Sequence, residues 1–130
     1  MSRCILIADD EPVMREFLSE VLEDFEVETA VDGEEAIGKI KGKVFDLIIT
    51  DMKMPKVSGE EVVKFAKEHY DSIKIIVISG YSSLTSVSNT VGYGANAFLA
   101  KPFTIKQLRS EVEKALKTGD FSQTGEINIS

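Results

Sequence analysis

Short apolar runs alternate five times with stretches whose apolar residues fall at helical spacing, and few architectures accommodate that order. The runs are residues 4–8, 27–31, 44–50, 73–78 and 97–100. Residues 73–78 are apolar except for Lys74, as in a strand buried on both faces. After the first run, Val13, Phe17, Leu18, Val21 and Leu22 share a helical face. Similar faces follow at Ala36, Ile37 and Ile40, at Val62, Val63, Phe65 and Ala66, and at Ile105, Leu108, Val112, Ala115 and Leu116. Pro12 suits a first helical turn, and capping-box patterns open at Asp32-Gly33-Glu34-Glu35, Ser58-Gly59-Glu60-Glu61 and Thr104-Ile105-Lys106-Gln107. Residues 82–92 are rich in Ser, Thr and Asn, which are poor helix formers, so a short or mobile helix is expected there.

Five such units predict an α/β domain, a parallel sheet with helices on both faces and right-handed crossovers. The flavodoxin-like (βα)5 doubly wound fold, with strand order 2-1-3-4-5, is taken as the expected topology. The domain is expected to occupy residues 1–117. Residues 118–130 lack sustained periodicity and read as a polar tail or the start of a linker.

The ends of the runs carry the chemistry. Asp9 and Asp10 close the first, Asp51 closes the third, and Lys101 follows the fifth and precedes Pro102. In a parallel sheet these ends share one edge, the edge at which open α/β sheets bind ligands. Carboxylates gathered there repel one another by about 4 kcal/mol per pair at 4 Å and an effective dielectric of 20. The arrangement therefore asks for a divalent cation and a lysine. A formal net charge of −7 argues against nonspecific binding to nucleic acid or to an anionic membrane. The chain has no basic-plus-apolar leader pattern and no apolar run approaching the roughly 20 residues of a membrane span. Its one cysteine, Cys4, reads as a buried strand residue. A cytoplasmic location is expected.

At these residues the chain resembles a bacterial response-regulator receiver domain over residues 3–117. The matching elements are Asp9-Asp10, Asp51-Met52-Lys53-Met54-Pro55 with Gly59, Ser79-Gly80, Gly94-Ala95 and Lys101-Pro102-Phe103. The resemblance implies that Asp51 is the phosphoacceptor and that Mg²⁺ is held by Asp9, Asp10, Asp51 and the Lys53 backbone carbonyl. Asp10 could also cap the first helix. Lys101 would pair with the phosphoryl oxygens, and the bond before Pro102 is expected to be cis. Ser79 would donate to a phosphoryl oxygen, and Phe98 occupies the position of the family's switch aromatic. Lys53 and Tyr81 border the path of an attacking water and are expected to tune the lifetime of the phosphoryl group. His69 is expected on the surface. Two departures stand out: the usual alanines of helix four are largely replaced by Ser, Thr and Asn, and Asn96-Ala97 stands where winged-helix transcription regulators carry two acids.

The function so implied is a phosphorylatable receiver, not an enzyme in the usual sense, although it assists its own phosphorylation and dephosphorylation. Its partners would be a histidine kinase or histidine phosphotransfer protein and a downstream protein bound through helix 4, strand 5 and helix 5. Direct nucleic-acid or membrane binding is not expected, and the state would be monomer or weak dimer. One alternative is the receiver portion of a larger transcription regulator or hybrid kinase. Another is an aspartate-nucleophile phosphatase, which would want a second acid two residues after the nucleophile, where Lys53 stands.

Overall fold

The computed structural model describes residues 3–80 and 84–117. Ten elements alternate: β1 (Cys4–Ala8), α1 (Pro12–Val21), β2 (Glu26–Ala30), α2 (Gly33–Gly42), β3 (Leu47–Asp51), α3 (Gly59–His69), β4 (Lys74–Ser79), α4 (Leu84–Gly92), β5 (Ala97–Ala100) and α5 (Ile105–Lys117). The five strands form one parallel sheet in the order β2-β1-β3-β4-β5, the doubly wound flavodoxin-like fold expected from the alternation. No helix among the described residues is long and apolar enough to cross a membrane. Tyr81 and residues 118–130 lie outside the described residues.

The central strands β1, β3 and β4 are buried because both faces are covered. Leu6, Ile48, Ile75 and Val77 pack toward Ala36, Ile40, Val62, Val63 and Ala66 of α2 and α3. Ile5, Ile7, Leu47, Ile49, Ile76 and Ile78 face Leu18 of α1, Leu22 at its C-terminal cap, and Leu108, Val112 and Ala115 of α5. The period-2 alternation of side chains thus feeds two cores from continuous apolar runs. Cys4 is buried in β1, and His69 is exposed and stacked on Phe65.

Three helices begin as their sequences specify. Asp32 accepts from the Glu35 amide at 2.8 Å, and Ser58 from the Glu61 amide at 3.3 Å. Thr104 and Gln107 form the full reciprocal box, at 2.8 and 3.0 Å. α1 differs. Its cap position is Glu11, whose side chain makes no cap hydrogen bond, so Asp10 is not the cap.

β2, β3 and β4 are shifted from their runs by one to three residues, and two of the shifts have a side-chain cause. β2 ends at Ala30 because the Val31 amide turns away to Glu35 Oε1 at 2.7 Å, leaving Val31 exposed. β3 starts at Leu47, three positions after the start of its run, and Val44 is 64% exposed. Asp46 interrupts the run: its Oδ2 accepts from the Cys4 amide at 2.8 Å while its own amide donates to the Cys4 carbonyl at 2.9 Å. A side chain therefore completes the first rung of the β1–β3 ladder. Asn96 does the same one residue before β5, exchanging two 2.8 Å bonds with Ile75 through its Oδ1 and its amide.

Candidate functional site

β1 and β3 are neighbours in the sheet, with Ala8 opposite Thr50, so the residues that follow them meet at its carboxyl edge. Asp9, Asp10 and Asp51 each offer a carboxylate oxygen within 4.8 Å of the others. Their settings differ. Asp9 is fully buried, Asp51 is 6% exposed, and Asp10 faces solvent. The Asp9 Oδ1 accepts the Glu11 amide at 2.9 Å, whereas its buried Oδ2 has no hydrogen-bond partner among the described residues. Burial raises the Asp9 pKa to about 6; the Glu11 amide and Lys101 oppose the rise, and Asp51 and Glu11 add to it.

Lys101 arrives from the other side. Its amide donates to the Ser79 carbonyl at 2.8 Å, extending the β4–β5 ladder, and the Lys101–Pro102 bond is cis. The ammonium lies 3.4 Å from Asp51 Oδ2, 3.4 Å from Glu11 Oε1 and 3.7 Å from Asp9 Oδ2. Burial lowers the lysine pKa, but attraction to Asp51, Asp9 and Glu11 outweighs it and the net shift is upward. Lys101 is thus a fixed cation shared among three carboxylates.

The loop after Asp51 is held by close backbone contacts. Gly59 donates to the Met52 carbonyl at 2.8 Å, and a Cβ at Gly59 would sit 2.0 Å from the Asp51 carbonyl oxygen. On the loop's other side, a Cβ at Gly33 would meet the Val57 carbonyl oxygen at 2.0 Å. Lys56, at φ 71°, reaches Asp32 and Glu34 at 3.6 and 3.3 Å. Lys53 is exposed, and its amide approaches Asp51 Oδ1 at 3.4 Å. Ser79 is buried at the end of β4 beside Ala100, and Phe98 is half-buried against the α2–α3 face. Beside Lys101, Met14, Phe17, Gly80, Pro102 and Phe103 line an apolar cavity of about 480 Å³.

Three carboxylates, one with an orphaned buried oxygen, make an oxygen-only donor set that suits a hard divalent cation such as Mg²⁺. Asp9, Asp10, Asp51 and Lys101 are therefore brought together by the fold, with Ser79 on the same sheet edge. Glu11 joins them without having been singled out from sequence. Its only signal there was a position next to the acidic pair.

The family model for the response regulator receiver domain matches residues 5–113. The chain is 33% identical over 118 residues to sporulation initiation phosphotransferase F of Bacillus subtilis strain 168, covering 89% of this chain and 95% of that one. It is 30% identical to the heme response regulator HssR of Staphylococcus saprophyticus, covering 99% of this chain but only 58% of the relative. A CheY-like response regulator receiver domain protein from Methanospirillum hungatei JF-1 superposes with a TM-score of 0.90 at 27% identity, over 95% of this chain and 100% of that one.

Proposed function

The chain belongs to the response regulator receiver domain family, and on that premise we propose that it takes a phosphoryl group onto Asp51 from a histidine kinase or histidine phosphotransfer protein. The observation that carries this reading is the Lys101 ammonium, 3.4 Å from Asp51 Oδ2 and 3.7 Å from a buried Asp9 oxygen that has no hydrogen bond among the described residues. An Asp51 oxygen attacks phosphorus, the P–N bond to the donor imidazole breaks, and the imidazole leaves with the electron pair. Such transfers depend on positioning and charge neutralisation more than on covalent machinery. Lys101 supplies one positive charge to the oxygens in transit. Mg²⁺, held by Asp9, Asp10, Asp51 and the Lys53 carbonyl, would neutralise further negative charge on those oxygens.

After transfer, Ser79 donates to a phosphoryl oxygen and Phe98 rotates inward, altering the α4, β5 and α5 surface for a downstream protein. Lys53 stands near the water path and sets the lifetime of the phosphoryl group, and the resemblance gives Tyr81, outside the described residues, the same role. Replacing Lys53 with Asn should speed its loss, and an unchanged or slower rate would count against that role. The domain spans residues 1–117, followed by a tail or linker, and works in the cytoplasm as a monomer or weak dimer. Receiver domains of this family are typically not enzymes in the usual sense, and the one acid-for-lysine difference at Lys53 supports that reading over a phosphatase. A second reading, the receiver portion of a larger regulator, is favoured by the chain spanning 58% of HssR. The mass of the native gene product distinguishes the two.

The test is incubation with acetyl phosphate and Mg²⁺, read by intact mass. The wild type should gain one phosphoryl group and Asp51→Asn none. Equal labelling of both proteins would overturn the assignment of Asp51.

A further inference from the structure

Lys101 has a third carboxylate partner that neither metal binding nor phosphoryl acceptance requires. Glu11 occupies the cap position of α1, where Ser, Thr, Asp or Asn would ordinarily bond the first-turn amides. Its side chain does not do so, and its Oε1 lies 3.4 Å from Lys101 Nζ, level with Asp51 Oδ2. Its backbone is fixed, because its amide holds Asp9 Oδ1 at 2.9 Å and Pro12 follows as the first helical residue. The glutamate therefore pulls on Lys101 from the solvent side while Asp51 and Asp9 pull from within.

We propose that Glu11 is a positioning residue that draws Lys101 away from the phosphoryl group and so slows both its arrival on Asp51 and its loss to water. The inference rests on the reading of Asp51 as phosphoacceptor. In formation, the bond between phosphorus and an Asp51 oxygen forms and the bond to the donor breaks. In loss, water oxygen bonds to phosphorus, the Asp51 oxygen leaves with the electron pair, and the water proton passes to solvent. Both transition states place negative charge on the same three phosphoryl oxygens, so one lysine serves both. A carboxylate competing for that lysine weakens its help in both directions.

Two substitutions separate this from plain charge repulsion. Glu11→Gln removes the charge at constant length, and Glu11→Asp keeps the charge but withdraws it from Lys101 by one methylene. The rates of phosphoryl gain from acetyl phosphate at saturating Mg²⁺, and of loss after the donor is removed, are measured on the full chain. Unchanged melting temperatures are the control for folding. Both variants should raise both rates about two- to fivefold, the range expected for an ion pair near the surface. A gain in Glu11→Gln alone that disappears at high salt would mean long-range repulsion of the donor and would overturn the proposal, as would unchanged rates in both variants. If the wild type itself takes no phosphoryl group, the Asp51 reading falls first and this inference with it. A modified wild type with indifferent variants sinks only the inference.

Discussion

Asp9 loses its water on folding while Asp51 and Glu11 add negative potential, and its carboxyl is raised to about 6, against an unfolded value near 3.9. Between about pH 4 and 6 the metal-free folded protein therefore holds a proton that the unfolded chain has released, and stability from this group grows as pH falls through that window. Asp9→Asn removes the effect. Without metal, the variant should melt higher than the wild type at pH 7–8, with the gap closing toward pH 4–5, and a gap independent of pH would contradict the assignment. Added Mg²⁺ should close that gap, because a cation bound only by the folded state stabilises it by about 2.7 kcal/mol at a hundredfold excess over its Kd. Gly59 answers to a harder constraint. A methyl group there would sit 2.0 Å from the Asp51 carbonyl oxygen, so Gly59→Ala must displace the backbone that carries the Asp51 side chain. Urea unfolding should show a loss of about 1–3 kcal/mol, the usual cost of overpacking. Asp9, Asp10, Asp51 and Lys101 were legible because each interrupts or follows an apolar run. Glu11 was not, because its partner is 90 residues away in sequence.

At the level of elements, α4 is held by one stripe of α3. Glu60, Lys64 and Lys67 lie at i, i+4 and i+7 on that helix. Glu60 accepts from Asn89 Nδ2 at 2.9 Å, Lys64 sits 5.8 Å from the Tyr93 ring, and the Lys67 stem lies under Gly94. These ties reach the C-terminal half of α4 and the turn after it. Asn89→Ala should therefore speed amide exchange across residues 87–92 by about two- to fivefold through local opening, leaving the β-strand amides unchanged. Faster exchange of the strand amides as well would instead mean a global loss of stability. Asn96 has a structural use as well, since its Oδ1 takes the Ile75 amide of β4. Asn96→Asp keeps that acceptor and should be nearly neutral, whereas Asn96→Leu should cost about 1–3 kcal/mol by orphaning the Ile75 amide, measured by chemical denaturation. The sequence pattern located every strand and helix within a few residues. It misplaced the start of β3 because hydrophobicity cannot report that the side chain of Asp46 does the work of a backbone rung.

For the whole molecule, the two cores explain why topology was readable: central runs apolar at nearly every position fit a parallel sheet covered on both faces. How the surface would respond to the proposed phosphorylation was not readable, because a switch of that kind depends on a balance between two packings. A coupling of about 1–3 kcal/mol is typical, whereas shifting a population from 1:99 to 99:1 takes about 5.5 kcal/mol. Beryllofluoride-saturated protein should accordingly show millisecond exchange broadening around residues 87–99 by NMR, and a single sharp set of resonances would argue for a complete shift. The sheet also sorts its two edges. Chemistry occupies the carboxyl edge, while at the amino edge Arg3 Nη1 donates to the Leu116 carbonyl at 3.4 Å, bringing the start of β1 beside the end of α5. A chain cut between Gly42 and Lys43 and rejoined by a short linker from residue 117 to residue 3 should then fold as a circular permutant that keeps Asp51 beside Lys101.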